Sequence, residues 1–324
     1  MASPSDINEI YLSSSPHFSS GRSTKKIMFF VILSMLPLCG YGIYLFGIPA
    51  LVTILVSVTS CVLFEFLFQK ITKQEVRIND LSAVVSGILL ALVSPPAMGT
   101  LSNIWKIILG AFFAIVVAKA MFGGIGANVF NPALIGRAFL VVSFPVSMST
   151  WTNPFSNAVD ATSSATILSM STEELSSLNM MDLFWGVRSG CIGETSIFLI
   201  LVAFIFLTIT KIIDWRSPLA MVATVVIGTL IAGGDVLIAL LSGGLLFGAT
   251  FMVTDYATTP VTKKGRLVFG FGCGLITFLI RQFSGYPEGV MFSILIMNTL
   301  VTFLDRMIGK KYGYVKKAKE GVTK

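Results

Sequence analysis

The chain has 324 residues, of which 54% are hydrophobic and only 12% charged, about half the charge of a typical soluble domain, so a soluble globular protein is excluded. The net charge of +7 is not a nucleic-acid signal, because Lys and Arg gather at the ends of apolar runs, where membrane topology places them. Four scattered cysteines (Cys39, Cys61, Cys191, Cys273) without a C-x-x-C pair signal neither a disulfide framework nor an iron–sulfur site, and a single histidine, His17, excludes bis-His haem within the chain and argues against a His-based metal site.

Residues 1–26 read as a polar, Ser-rich cytoplasmic tail that is flexible by composition. Ten apolar runs follow, at about 27–46, 49–69, 81–97, 103–122, 131–145, 195–211, 217–232, 236–254, 266–283 and 287–305. The first is long enough to span a bilayer itself, so no cleavable signal is expected. The runs are continuous and lack the short alternating segments of a β-barrel. The expected fold is therefore all-α, a polytopic membrane protein of about ten transmembrane helices.

An even number of spans puts both termini on one side. Placing them in the cytoplasm sets 20 of the 23 Lys and Arg at inner helix ends and only Lys106, Arg188 and Arg281 outside. The segment 306–324, with Lys310, Lys311, Lys316, Lys317 and Lys319, becomes a basic cytoplasmic tail suited to anionic lipid or a soluble partner.

Two short matches recur in the same order. Ser86-Gly87-Ile88-Leu89-Leu90 resembles Ser242-Gly243-Gly244-Leu245-Leu246, and Gly124 to Asn131 resembles Gly285 to Ser293. They suggest two five-helix repeats, 27–145 and 195–305, inverted because five is odd, with a site expected at their interface. The fifth run is too short to cross the membrane: Asn131-Pro132 suits an N-cap followed by Pro, and Pro145 ends the run. A half-helix is expected there, either a packing device or part of a cofactor or ion path. Glu65, Asp80, Asp255, Glu288 and Asp305 lie near run ends, as interfacial anchors and interhelix pairs do, and locate no ion path.

Between the repeats, residues 146–194 form a polar segment on the outer face, rich in Ser, Thr and Asn and more acidic than basic. Connections of this length in compact folds are functional or disordered. It contains Asp160-Ala161-Thr162-Ser163-Ser164-Ala165-Thr166. This heptad resembles the Asp-x-x-(Ser/Thr)-Gly-Ala-Thr acceptor motif of the membrane subunits of Rnf and Na+-pumping NADH:quinone oxidoreductase complexes, with Ser164 in place of the usual Gly. Asn131 to Phe139, Phe251 to Arg266 and Tyr286 to Arg306 resemble three further signatures of that family, and the length favours its RnfD branch.

The resemblance implies FMN attached covalently through a phosphoester to Thr166. Asp160 would orient the acceptor, and the small residues Ser163, Ser164 and Ala165 would let the ring and a flavin transferase approach. Asn131 and Arg137 complete the candidate cofactor-binding set, and a second, non-covalent flavin is left open. It further implies a bacterial or archaeal cytoplasmic membrane protein, its flavin loop outside. The chain would work only with other membrane and peripheral subunits of an Rnf-type complex, coupling ferredoxin and NAD redox chemistry to Na+ or H+ export. The alternative from the repeat and half-helix alone is a cofactor-free channel or carrier for a small solute.

Overall fold

The computed structural model describes residues 23–155, 180–284 and 289–308. These residues are helical, with no strand among them. α1 (Thr24–Phe46) starts at Ser23, whose hydroxyl accepts from the Lys26 amide at 3.3 Å. Gly47, at φ +66°, makes the turn into α2 (Ile48–Ile71), a left-handed conformation that a side chain would strain.

The third run does not form one helix. α3 (Ser82–Leu92) ends after 11 residues, because Ser94-Pro95-Pro96 cannot continue it, and a 3-10 turn (Pro96–Gly99) follows. At 1.5 Å per residue α3 covers roughly 16 Å, half the hydrocarbon thickness. α4 (Ile104–Phe112) runs into a π-turn at Phe113–Val117. α5 (Pro132–Ser143) is the expected half-helix: the Asn131 side chain accepts from the Ala133 and Leu134 amides at 3.1 and 3.4 Å.

The second half begins with α6 (Ile197–Ile209) and α7 (Arg216–Ile231). The eighth run is also broken. α8 (Val236–Leu241), capped by Asp235, stops at Ser242, and Gly243 turns the chain at φ +64°. A turn at Leu245–Phe247 and a π-turn at Gly248–Met252 complete it. α9 (Lys263–Phe283) and α10 (Val290–Ile308) close the bundle. Among the described residues, five segments are long and apolar enough to cross a membrane: α1, α2, Ile104–Phe122, α9 and α10.

Packing repeats between the halves. α2 packs on α3 and α4, and α4 on α5; α7 packs on α8 and α9, and α9 on α10. α1 meets α3, as α6 meets the Leu245–Met252 segment, and the halves touch through α1–α6 and α5–α10. The short sequence matches occupy unlike positions, however. Ser86-Gly87 lies inside α3 whereas Ser242-Gly243 is the break after α8, and Asn131 caps α5 whereas Ser293 is already within α10. The two halves thus share a packing scheme that these matches do not align.

Small residues set the closest approaches. A Cβ on Gly270 would lie 2.3 Å from the Ser217 carbonyl, and one on Gly274 would lie 2.5 Å from that of Met221, so α7 and α9 touch backbone to backbone. Gly270→Val is expected to overpack this seam, cost about 1–3 kcal/mol and lower the thermal unfolding temperature in detergent, whereas the outward-open Gly40→Ala leaves it nearly unchanged.

Candidate functional site

A cavity of about 840 Å³ lies between the halves. Its wall takes Ile27 and Val31 from α1, Ser82 and Val85 from α3, Asn128, Asn131 and Pro132 from the α5 entry, Thr250 and Phe251 from the eighth segment, and Thr254 to Ala257 from its end and the loop after it. Thr24, Lys119 and Arg306 place it at the helix ends where the basic residues gather. Apolar side chains dominate, with a few polar groups among them, as in small-molecule sites.

Lys119, only 2% exposed, supplies the buried charge. Its ammonium donates to Glu65 Oε1 at 2.7 Å and to Ser82 Oγ at 2.6 Å, and Ser82 in turn donates to Asp80 Oδ1 at 2.7 Å. Asp80 also accepts from the Ser82 amide at 2.9 Å, which caps α3. Across the cavity, Asp255 accepts from the Thr258 hydroxyl at 3.0 Å. Burial pushes its carboxyl above the usual range, against the Thr258 hydroxyl, the Ala257 and Tyr256 amides and the Lys119 charge. Asp305 accepts from the Val261 amide at 3.1 Å, tying α10 to the same loop. Rotated to satisfy its neighbours, the Asn298 amide donates to the Thr258 carbonyl at 3.1 Å and accepts from the Asn131 amide at 3.2 Å.

Beyond the cavity the half-helices meet a second cluster. Arg137, in α5, pairs with Glu194 at 3.1 Å, both side chains being more than nine-tenths buried. Arg188 donates to the Glu194 carbonyl at 2.6 Å and to the Leu241 carbonyl at the end of α8. Burial lowers its guanidinium to about 10, against the raising effect of the Glu194 charge. The Gly193 and Ile192 amides donate to the Leu92 and Ser94 carbonyls at 2.7 and 3.2 Å, finishing α3. The end of the polar segment, Arg188 to Ser196, is therefore a buried strap between the halves.

Thr166, Asp160, Ser163, Ser164 and Ala165 lie outside the described residues, as does Glu288. Asn131 lines the cavity with its side-chain oxygen committed to the cap of α5, and Arg137 faces the strap, so α5 links the two places. The sequence reading missed Lys119 and Glu194 as buried partners. One signal was available: Thr53, Ser57, Cys61 and Glu65 recur at helical spacing and form the buried face of α2.

Residues 11–313 match the NQR2, RnfD, RnfE family. The chain belongs to this family. It is 41% identical over 321 residues to the D subunit of the Na+-translocating ferredoxin:NAD+ oxidoreductase complex of Acetobacterium woodii, covering 97% of this chain and 99% of that one. It is 39% identical over 316 residues to the D subunit of the proton-translocating ferredoxin:NAD+ oxidoreductase complex of Clostridium ljungdahlii, covering 92% and 94%. The D subunit of the ion-translocating oxidoreductase complex of Escherichia coli O127:H6 is 33% identical over 339 residues, covering 91% and 95%. The two family signatures that the sequence placed at Asn131–Phe139 and Phe251–Arg266 face each other across the cavity through Asn131 and Thr254 to Ala257.

Removing Lys119 leaves Glu65 buried without its cation. Lys119→Met is expected to cost about 3–5 kcal/mol, read as a lower unfolding temperature, and Glu65→Met added to it recovers most of the loss. Asp214, at the start of α7, gives a pH test. Burial alone would raise its carboxyl, but the Arg216 amide and the Arg266 and Arg216 guanidiniums, at 2.8 and 2.9 Å, hold it below 3.8. A depressed folded-state carboxylate adds stability above its unfolded value and loses it as pH falls through the folded one. Asp214→Asn should thus lower the unfolding temperature near neutral pH, the gap to wild type closing as pH falls below 3.8.

Proposed function

We propose that this chain is the D-type membrane component of an ion-translocating ferredoxin:NAD+ oxidoreductase, and that it carries FMN as a phosphoester on Thr166 at the outer face. The observation that carries the first part is likeness to proteins bearing that name, at up to 41% identity over nearly their whole length. The second part rests on the Asp160-x-x-Ser163-Ser164-Ala165-Thr166 heptad. Those relatives are named for different ions, Na+ and protons, so family membership alone does not choose between them.

The described flanks of the heptad suit a flavin. The Phe155 amide donates to the Leu45 carbonyl at 2.8 Å, and its ring meets Tyr44 edge-on at 5.4 Å. On the other flank Trp185 packs on Phe198 at 5.3 Å. Tyr44, Phe155 and Trp185 keep about half or more of their surface exposed, leaving aromatic faces on the described residues that flank the heptad. When bound, FMN supplies a carrier for one or two electrons. The chain's own part is to present the Thr166 hydroxyl, with Asp160 orienting it among small neighbours.

The same reading gives the cavity between the halves to a second, non-covalent flavin. Its volume of about 840 Å³ is ample for a tricyclic ring, its wall is largely apolar, and Lys119 and Asn128 supply a donor and an acceptor. The cavity alone would equally suit a cofactor-free carrier; the acceptor heptad favours the redox protein.

The complex should be expressed with a flavin transferase, as wild type and as Thr166→Ala. In-gel flavin fluorescence after denaturing electrophoresis is expected in the wild-type chain and absent in the variant, with acid-extractable flavin remaining in both. No fluorescence in either, beside a control substrate that is modified, would remove the covalent flavin and reopen the carrier.

A further inference from the structure

The buried strap from Arg188 to Ser196 has a property that packing alone does not require: each broken element touches both it and the cavity, α3 at opposite ends and α5 at its start and its middle. α3 sets Ser82 in the cavity wall and offers its Leu92 carbonyl to the Gly193 amide. α5 sets Asn131 and Pro132 in the wall and, about a turn and a half on, extends Arg137 to Glu194. In the second half, Thr250 and Phe251 line the cavity, while Phe247 lies where a Cβ on Gly193 would meet it at 3.0 Å and Leu241 accepts from Arg188. Three short rods therefore span from one place to the other.

The strap's contacts are also of a kind that can be exchanged. They join orphan helix-end carbonyls to strap donors and one carboxylate to one guanidinium, with Ile192 as the large side chain that the strap seats in the bundle, against Gly42 of α1. Gly193 has no side chain to resist sliding, and a Cβ there would lie 2.6 Å from that of Leu92. Along the chain, the strap is the direct continuation of the segment that carries Thr166.

We propose that the strap is the transmission between the repeat interface and the flavin-bearing loop, with Glu194 as the positioning residue that holds it. The inference rests on the function proposed above. A change in how the halves pack around the cavity moves α3, α5 and the Leu245–Met252 segment; the strap bound to them moves with them, and it continues in sequence into the segment that carries Thr166. Glu194 fixes the register of that movement, because it is the acid paired with Arg137 and its own carbonyl receives Arg188.

The test uses the whole complex in sealed vesicles and measures two rates together: electron transfer from reduced ferredoxin to NAD+, and ion uptake. Glu194→Gln breaks the pair from one side. Arg188→Lys keeps a buried cation at the strap while releasing one of the two carbonyls that the guanidinium joins, so that the bundle assembles. In both variants electron transfer is expected to stay within about twofold of wild type while ions moved per electron fall by about fivefold or more, the scale of a typical coupling. An ordinary structural role would depress both rates together and leave their ratio unchanged, and that result overturns the proposal. In-gel fluorescence of the same samples separates the two ideas. Absence of covalent flavin from wild type defeats the functional reading, whereas fluorescent Glu194→Gln and Arg188→Lys proteins with a normal ratio defeat only the strap.

Discussion

The last carbonyls of a helix have no partner within it, and in a medium without water each unmet group costs several kcal/mol. A bundle with helices that stop partway across must therefore bring donors to those stops, and much of this architecture follows from that demand. α3 ends at Leu92 and α8 at Leu241, and one strap serves both, with backbone amides for the first and the Arg188 guanidinium for the second. Arg281 adds a second cation to the end of α8, donating to the Ala239 carbonyl at 2.8 Å. Both cations at the end of α8 are among the three, with Lys106, that the charge distribution set apart from the other Lys and Arg.

At the other end of the half-helices the demand is reversed, since the unmet groups there are amides. Asp80 accepts from the first amide of α3, that of the cavity-lining Ser82, and Asn131, itself in the cavity wall, caps α5. The Lys119–Glu65 pair is held in the same neighbourhood, with Ser82 as its neutral third partner. A buried pair of this kind contributes little net stability, while loss of either member is costly. It sets the geometry of the α2–α3 corner and places a fixed positive charge opposite Asp255.

The π-turns serve the same end. One follows α4 and leads to Lys119; the other follows Phe247 and leads to Asp255. Each rotates the chain relative to a regular helix just before a charged residue of the cavity, as such turns often do near functional sites. The two family signatures meet at this wall, one supplying the cap of α5 and the other the loop that Asn298 and Asp305 hold in place.

Much was legible in the sequence. Low charge and long apolar runs determined an all-helical membrane protein, because a bilayer accepts no other continuous backbone of this length. The half-helix at α5 could be read because Asn-Pro and Pro145 punctuate the chain locally, and the heptad ending in Thr166 marked the family because it is a contiguous run. The break in α3 was missed although Ser94-Pro95-Pro96 carries it, since apolar residues continue up to it and hydropathy does not register where hydrogen bonding stops. Partnerships between distant residues were beyond the sequence. Glu65 with Lys119, and Arg137 with Glu194, are 54 and 57 residues apart, and only the packing of α2 on α3 and α4, and of the strap on α5, brings each pair together. Charge in the sequence says which residues need a partner in the membrane; the tertiary structure alone decides which partner each one finds, because that choice is made by helix packing across the two halves.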